Sequence, residues 1–399
     1  MRALLTVEEA QAAILERCVP LDAETIPLER AAGRVTAEAV VARVDLPPFP
    51  SSAMDGFAVR AADVPGRLAV VARIAAGGPA ERPLGPGEAM SISTGGVVPN
   101  GADAVVPIEV VTDDGDAIDV PEAVSAGAHV RPRGGDVRMG DAIVAAGVRL
   151  GATQLGAIAA AGVPELSCAR SPRVTVLATG TELVAPGTPL APGQVYEANA
   201  LMLATALAAA GADVERLPAV SDDEDAHRDV IARGLQADVL VTSGGVSVGP
   251  HDLVRRIEAE LGVEEVFWQV AVKPGKPVAF GVRGRTLVFG LPGNPVSSLV
   301  ACELLVKPAL RALQGLADPL PRFEHGRAGS ALRRNAARDE LVRARIAVGG
   351  DDDDVVLEPL AGQESHMIVR AASADALVHV ARGDGAIEAG EAVSFIRLY

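Results

Sequence analysis

Lysine is nearly missing from this chain: of 36 basic side chains only three are lysines, Lys273, Lys276 and Lys307. Aromatic residues are scarce as well, at 3% with a single tryptophan, so no ring-stacking platform for single-stranded nucleic acid can be assembled. A net charge of -16 works against any phosphate backbone, which is held by clustered cations that release counterions. The three cysteines, Cys18, Cys168 and Cys302, are far apart and lack a C-x-x-C spacing, which excludes a disulfide framework and a cysteine zinc site. No run of about 18 uncharged apolar residues occurs, and the opening Met1–Glu9 lacks a leader-like apolar stretch. Walker-loop and kinase signatures are missing too. These absences leave a soluble, cytoplasmic protein with neither nucleic acid nor membrane as partner, acting on a small ligand.

With 399 residues, 49% of them apolar, the chain is long enough for roughly two to four domains. Thr6 and Glu9 form a capping box, after which Ala10, Ile14, Leu15 and Cys18 share one helical face. From about 35 to 150, short Val/Ile/Ala runs cut by Pro and Gly predict small β units with long ordered loops. An alanine-rich helix from Gly151 to Gly162 reads as a spacer between domains. From about 170 to 315 the rhythm is strand, glycine turn, helix: strands at Arg173–Ala178, Asp213–Val220, Val239–Thr242 and Thr286–Phe289, helices at Asn199–Ala210 and Asp225–Leu235. That alternation predicts a parallel α/β sheet with its ligand at the carboxyl ends of the strands. Beyond 320 the short strands return, and Asp351–Asp354 is expected at a solvated hairpin tip.

The lysines carry the first functional signal. Two of the three sit in Lys273-Pro274-Gly275-Lys276-Pro277, where compact, strongly hydrated ammonium groups in a fixed turn suit an oxyanion better than a planar guanidinium would. Asn294-Pro295 before Val296-Ser297-Ser298 is a helix start whose free N–H groups would add to anion binding. Ser243-Gly244-Gly245 follows a strand and lets backbone approach a phosphate or carbonyl; taken alone, an ordinary tight turn explains it equally well. Several acids lie in glycine or proline punctuation: Asp55, Glu109, Asp136, Glu182, Asp222, Asp223 and Asp252. Each alone is a turn former. Beside an oxyanion clamp they point to Mg²⁺, a hard cation bound by carboxylate and phosphate oxygens. The six histidines show no metal-ligand spacing.

The motifs PPFPSSAMDGFA at 47–58, TGGVVPNGADAVVPIE at 94–109, RPRGGD at 131–136, TGTEL at 179–183, SGGVSVG at 243–249, KPGKP at 273–277 and LPGNPVS at 291–297 resemble, in this order, those of the molybdopterin molybdenumtransferase family, the MoeA and gephyrin E-domain group. The resemblance implies a late step of molybdenum cofactor biosynthesis, in which molybdate and adenylylated molybdopterin are the substrates and AMP is released with Mg²⁺. It implies catalytic roles for Asp55, Thr94, Asp136, Glu182, Lys273 and Lys276. Substrate binding would fall to Ser243, Gly244, Gly245, Pro292, Gly293, Asn294, Pro295, Ser297, Arg338 and Ser365, and metal binding to Glu182, Asp222, Asp223 and Asp252. The implied architecture is an elongated homodimer with a shared cleft. Its parts would be an N-terminal helix and linking segment (1–45 and 144–170), an inserted β domain (46–143), an α/β domain related to molybdopterin adenylyltransferases (171–317) and a C-terminal β barrel (318–399). Two other readings stand beside it: a molybdopterin adenylyltransferase, which would not need the regions 45–150 and 320–399 and which is also a candidate partner, and a non-catalytic scaffold on the same fold.

Overall fold

A computed structural model describes residues 4–75, 77–218, 224–245, 253–348 and 355–398. The chain divides into two compact units, one made of Thr25–Ala32 and Thr36–Cys168, the other of Met1–Glu24, Gly33–Val35 and Ala169–Tyr399.

The first unit is built on a six-stranded sheet ordered Ala104–Pro107, Gly56–Val59, Glu88–Ile92, Gly66–Ile74, Ala117–Val120, Thr112–Asp113. Its interior strand Gly56–Val59 is buried on both faces, because alternate side chains enter two different cores. Phe57 and Val59 pack with Leu68 and Ile118, whereas Ala58 packs with Ile74, Met90 and Ile92. Gly56 is demanded by the neighbouring strand: a Cβ there would stand 2.0 Å from the Val106 carbonyl oxygen. The alanine-rich helix, Ala152–Ala160, is no bare spacer. It seats Ile158 in a small core with Val40, Val144, Leu150 and Leu166.

The second unit opens with the helix Val7–Leu15, and Thr6 and Glu9 exchange both bonds of the capping box. The α/β region then runs β1 (Arg173–Ala178), α1 (Asn199–Ala209), β2 (Asp213–Arg216), α2 (Glu224–Gly234), β3 (Val239–Ser243), α3 (Leu253–Glu260), β4 (Glu264–Trp268), β5 (Ala279–Arg283), β6 (Thr286–Leu291) and α4 (Pro295–Ala301). The strand order is β2-β1-β3-β6-β5-β4. The first four are parallel as the sequence predicts, and the sheet is extended by an antiparallel edge pair, β5 on β6 and β4 on β5. β1 beyond Arg173 and all of β3 are buried at every position, as in a sheet covered on both faces. β2 is shorter than expected, pairing with β1 only as far as Val176↔Arg216.

After α4 the helix continues through a π segment, Cys302–Val306, where the third lysine, Lys307, pairs with the buried Glu303. The C-terminal strands β7 (Glu324–Ala328), β8 (Asp339–Val348), β9 (Val355–Pro359), β10 (Ala376–Val380) and β11 (Ala392–Arg397) close on themselves in the order β8-β9-β7-β11-β10-β8. That ring is the expected β barrel, with Leu357, Val378 and Phe395 fully buried inside. Asp351–Asp354 lie outside the described residues; the strands flanking them pair antiparallel through Val348↔Val355. No described helix is long and apolar enough to cross a membrane. All three cysteines are free thiols, and burial pushes the Cys18 thiol up to about 12.

Candidate functional site

The segment bearing the two lysines is fixed at both ends by backbone hydrogen bonds. The two-residue strand Val272–Lys273 adds in parallel to β8, with Lys273 opposite Glu340. Beyond it, the Lys276 carbonyl accepts the Val270 and Val278 amides, both at 3.0 Å. Gly275 has φ +112°, a conformation side chains rarely adopt, and a Cβ there would approach the Ser297 carbonyl oxygen to 3.3 Å. The loop thus presses on the first turn of α4. Lys273 Nζ stands 3.0 Å from Glu340 Oε1, whereas the Lys276 ammonium has neither an ion-pair nor a hydrogen-bond partner among the described residues. A half-buried cation left without a counter-charge is costly unless a partner is supplied.

α4 begins as its sequence requires, with Asn294 in the cap position and Pro295 in the first turn. Its amides are not all free, however. Val296 N–H donates to the Ser365 carbonyl at 3.0 Å, so the expectation of an open set of donors is corrected: one is consumed in anchoring the 360–367 loop. That loop is organised from below by Arg343 on β8, only 1% exposed. Its guanidinium donates to the carbonyls of Gly362 (2.9 Å), Met367 (2.9 Å) and Glu364 (3.2 Å), and Gln363 returns a bond to the Arg343 carbonyl at 2.9 Å. Burial presses the guanidinium pKa downward, yet guanidinium stays charged at any ordinary pH. Arg338 is partly buried and forms no ion pair among the described residues; its amide is held by Asn335 Oδ1 at 3.1 Å.

At the carboxyl ends of β3 and β6 the turns are tied together by one side chain. Asn199, opening α1, donates from Nδ2 to Ser243 Oγ at 2.9 Å and to the Gly293 carbonyl at 2.7 Å. Ser243 in turn reaches the Pro292 carbonyl at 3.2 Å, a group that Ser298 also engages. Gly244 (φ +99°) must be glycine, since a Cβ would lie 2.6 Å from the Thr179 carbonyl oxygen. Gly293 packs against it, a Cβ at Gly293 falling 3.8 Å from the Gly244 Cα. Glu182 folds back over the backbone of the turn after β1, so that a Cβ at Gly180 would sit 2.6 Å from both carboxylate oxygens. Ser243, Gly244 and Pro292–Gly293 therefore adjoin one another at the strand ends, while Gly275 of the lysine loop and the Ser365 carbonyl each meet the first turn of α4; Ser243, Gly244, Pro292 and Ser297 are themselves buried.

In the N-terminal unit, Asp55 Oδ1 accepts the Thr94 amide at 2.7 Å, and Ser52 exchanges backbone bonds with Gly95 and Gly96 at 2.8 and 2.9 Å. Asp55 and Thr94 are thus neighbours and both exposed. Asp136, also exposed, lies on a loop fixed by Asp45, whose carboxylate accepts the Met139 amide (2.8 Å) and Arg133 Nε (2.6 Å). Those two bonds hold the Asp45 carboxyl below the usual range, the Met139 amide contributing most. Asp222, Asp223 and Asp252 lie outside the described residues. Among the described residues no group of three or more His, Cys, Asp or Glu is arranged to hold a metal.

Sequence reasoning passed over three residues. Asn199 carried a legible signal, an amide opening a helix beside a strand-end glycine turn. Glu340 and Arg343 carried none, for each is one charge in a long strand, and only its burial and partners mark it.

Comparison with known proteins agrees along the whole chain. The MoeA N-terminal region (domains I and II) matches residues 5–162, a probable molybdopterin binding domain matches 175–312, and the MoeA C-terminal region (domain IV) matches 325–398. A molybdopterin molybdenumtransferase of Haemophilus influenzae is 34% identical over 398 residues, covering 98% of both chains. Molybdopterin molybdenumtransferase 2 of Mycobacterium tuberculosis is 39% identical over 334 residues, 80% of this chain and 81% of its own. Among solved structures, a molybdopterin biosynthesis MoeA protein of Pyrococcus horikoshii superposes with TM-score 0.80 at 31% identity, covering 99% of each chain.

Proposed function

This chain belongs to the MoeA family, and we propose that it is a transferase of molybdenum cofactor biosynthesis, inserting molybdenum from molybdate into adenylylated molybdopterin with release of AMP. The observation that carries the reading is the Lys276 ammonium, left without a counter-charge among the described residues, on a loop packed against Ser297 and beside the Ser365 anchor. Molybdate is a tetrahedral dianion, and the substrate supplies the soft sulfur ligands that molybdenum needs. The protein therefore has to provide only cationic and hydrogen-bonding groups for the oxyanion.

Lys273, Lys276, Ser297 and Ser365 would hold the oxyanion or the terminal phosphate, with Arg338 beside them. The glycine turns at Ser243–Gly245 and Pro292–Pro295 would receive the pterin phosphate, since backbone without Cβ atoms allows close approach. Mg²⁺ suits the donors present: Glu182 is an exposed carboxylate at a strand end, and a hard cation that keeps its waters and borrows phosphate oxygens needs few protein ligands. Such a cation would neutralise charge on the pyrophosphate. Asp222, Asp223 and Asp252 are proposed to join Glu182, and Asp55, Thr94 and Asp136 to serve the reaction. A homodimer in the cytoplasm, with a molybdopterin adenylyltransferase as supplier of the activated substrate, completes the proposal; light scattering of the purified protein tests the dimer. Incubation with adenylylated molybdopterin, molybdate and Mg²⁺ should yield AMP and active cofactor in step. Consumption of ATP and bare molybdopterin instead would assign the preceding adenylylation.

A further inference from the structure

We propose that Glu340 is a built-in competitor for the anion taken by the lysine clamp: its carboxylate holds Lys273 while the clamp is empty, and an oxyanion binds by displacing it. The inference rests on the clamp reading given above.

The ladder sets the pair. Lys273 and Glu340 are partners in the parallel pairing of Val272–Lys273 with β8, so their side chains leave the same face at the same level, and Nζ and Oε1 meet at 3.0 Å. The two ends are unequal. Glu340 is 14% exposed and anchored in the barrel, whereas Lys273 is 46% exposed on a flexible four-carbon stem. The lysine is the mobile partner. Asp339, next along β8, is occupied elsewhere: its Oδ1 accepts the Arg382 amide at 2.8 Å and lies 3.9 Å from His379 Nε2. Alternation along the strand also sends it to the other face, so Glu340 is the acid that meets the lysine. A dianion approaching the empty clamp therefore meets two ammonium charges already offset by one carboxylate. Binding exchanges one partner of Lys273 for another, and the exchange lowers affinity relative to a clamp without the acid.

The sign of the effect separates this role from a supporting one. If Glu340 merely positioned Lys273, its removal would weaken binding; as a competitor, its removal strengthens it. Calorimetric titration of the full-length protein with sodium molybdate should show Glu340→Gln and Glu340→Ala binding about three- to thirty-fold tighter than the parent, as expected for removing one charge several ångströms from a dianion at a partly exposed site. In a Lys273→Ala background the same Glu340→Gln change should give a smaller gain than in the parent, because only the direct repulsion between carboxylate and dianion remains and the acid has no lysine to hold. Unchanged or weaker binding in both folded Glu340 variants overturns the proposal, as does a gain that persists in full without Lys273. Lys276→Ala tests the clamp separately: it should weaken binding at least roughly tenfold, and parent-like affinity would refute the clamp while leaving the Glu340 comparison readable. Molybdate binding by no form of the protein would overturn both.

Discussion

Replacing Arg343 by Met is the most informative perturbation of the fold that supports the site. The guanidinium is buried and serves three main-chain carbonyls of the 360–367 loop, those of Gly362, Glu364 and Met367, with Gln363 Oε1 a weaker contact at 3.4 Å. Met fills much of the stem's volume but donates nothing, so three acceptors lose their partner. A buried carbonyl left unpaired costs about 1–3 kcal/mol; water admitted at the loop edge places each near the lower end, and lost stem packing adds on the order of 1 kcal/mol. The expected destabilisation is about 3–5 kcal/mol. Urea unfolding followed by circular dichroism measures it, and amide hydrogen exchange locates it: Val296, whose N–H is held by the Ser365 carbonyl, should lose protection ahead of the sheet strands. Arg343→Lys should recover less than half, since one ammonium cannot span carbonyls arrayed around a planar fork. A stability loss below about 1 kcal/mol with Val296 protection intact would refute the claim that this side chain organises the loop.

Four further outcomes follow from named contacts. Lys276→Ala should impair molybdate binding more than Lys273→Ala does, because Glu340 already offsets Lys273; the reverse order in parallel titrations would contradict the geometry. Gly275→Ala should cost about 1–2 kcal/mol in thermal unfolding and also weaken molybdate binding, since φ +112° is strained for alanine and the added Cβ crowds Ser297. Asn199→Asp puts a carboxylate against the Gly293 carbonyl, so AMP release should fall by roughly tenfold near neutrality and recover partly as pH is lowered and the acid becomes a donor; a loss independent of pH would contradict the donor role. Asp238 is half-buried, which opposes ionisation, but the bidentate Arg170 and the Arg173 amide (2.8 Å) outweigh this and hold its carboxyl below the usual range. Its folded pKa being lowered, its stabilisation is complete above the unfolded value of about 4 and drains away as pH falls through the lower folded value. The stability gap between parent and Asp238→Asn should therefore shrink on acidification from pH 5 to 2, and a constant gap would count against the linkage.

The parallel core of the α/β region was legible because burial on both faces writes each strand as a short apolar run that a glycine turn must end, as at Val239–Ser243 before Gly244 and Thr286–Leu291 before Pro292-Gly293. The edge pair β4–β5 was not: Glu264-Glu265 opens one strand, and Gly281 interrupts the other because a Cβ there would meet the Glu264 carbonyl oxygen at 2.9 Å. The loop lysines announced themselves against an arginine background, and the glycines beside them follow from positive φ and close backbone approach. What composition cannot reveal is pairing across sequence distance. Arg343 and Arg345 look alike in the run of β8, yet the first is buried under a loop and the second is exposed. The Val296 amide looked free until the chain returned at Ser365 to bind it.

The central claim is that the Lys273–Lys276 loop is where the metal oxyanion binds. Molybdenum anomalous diffraction from crystals of the full-length protein soaked in molybdate tests it most directly. The expected result is a peak within contact of the Lys276 ammonium and beside Ser297, with Lys273 drawn off Glu340; a peak only at other cations, with this loop vacant at full occupancy elsewhere, would contradict it.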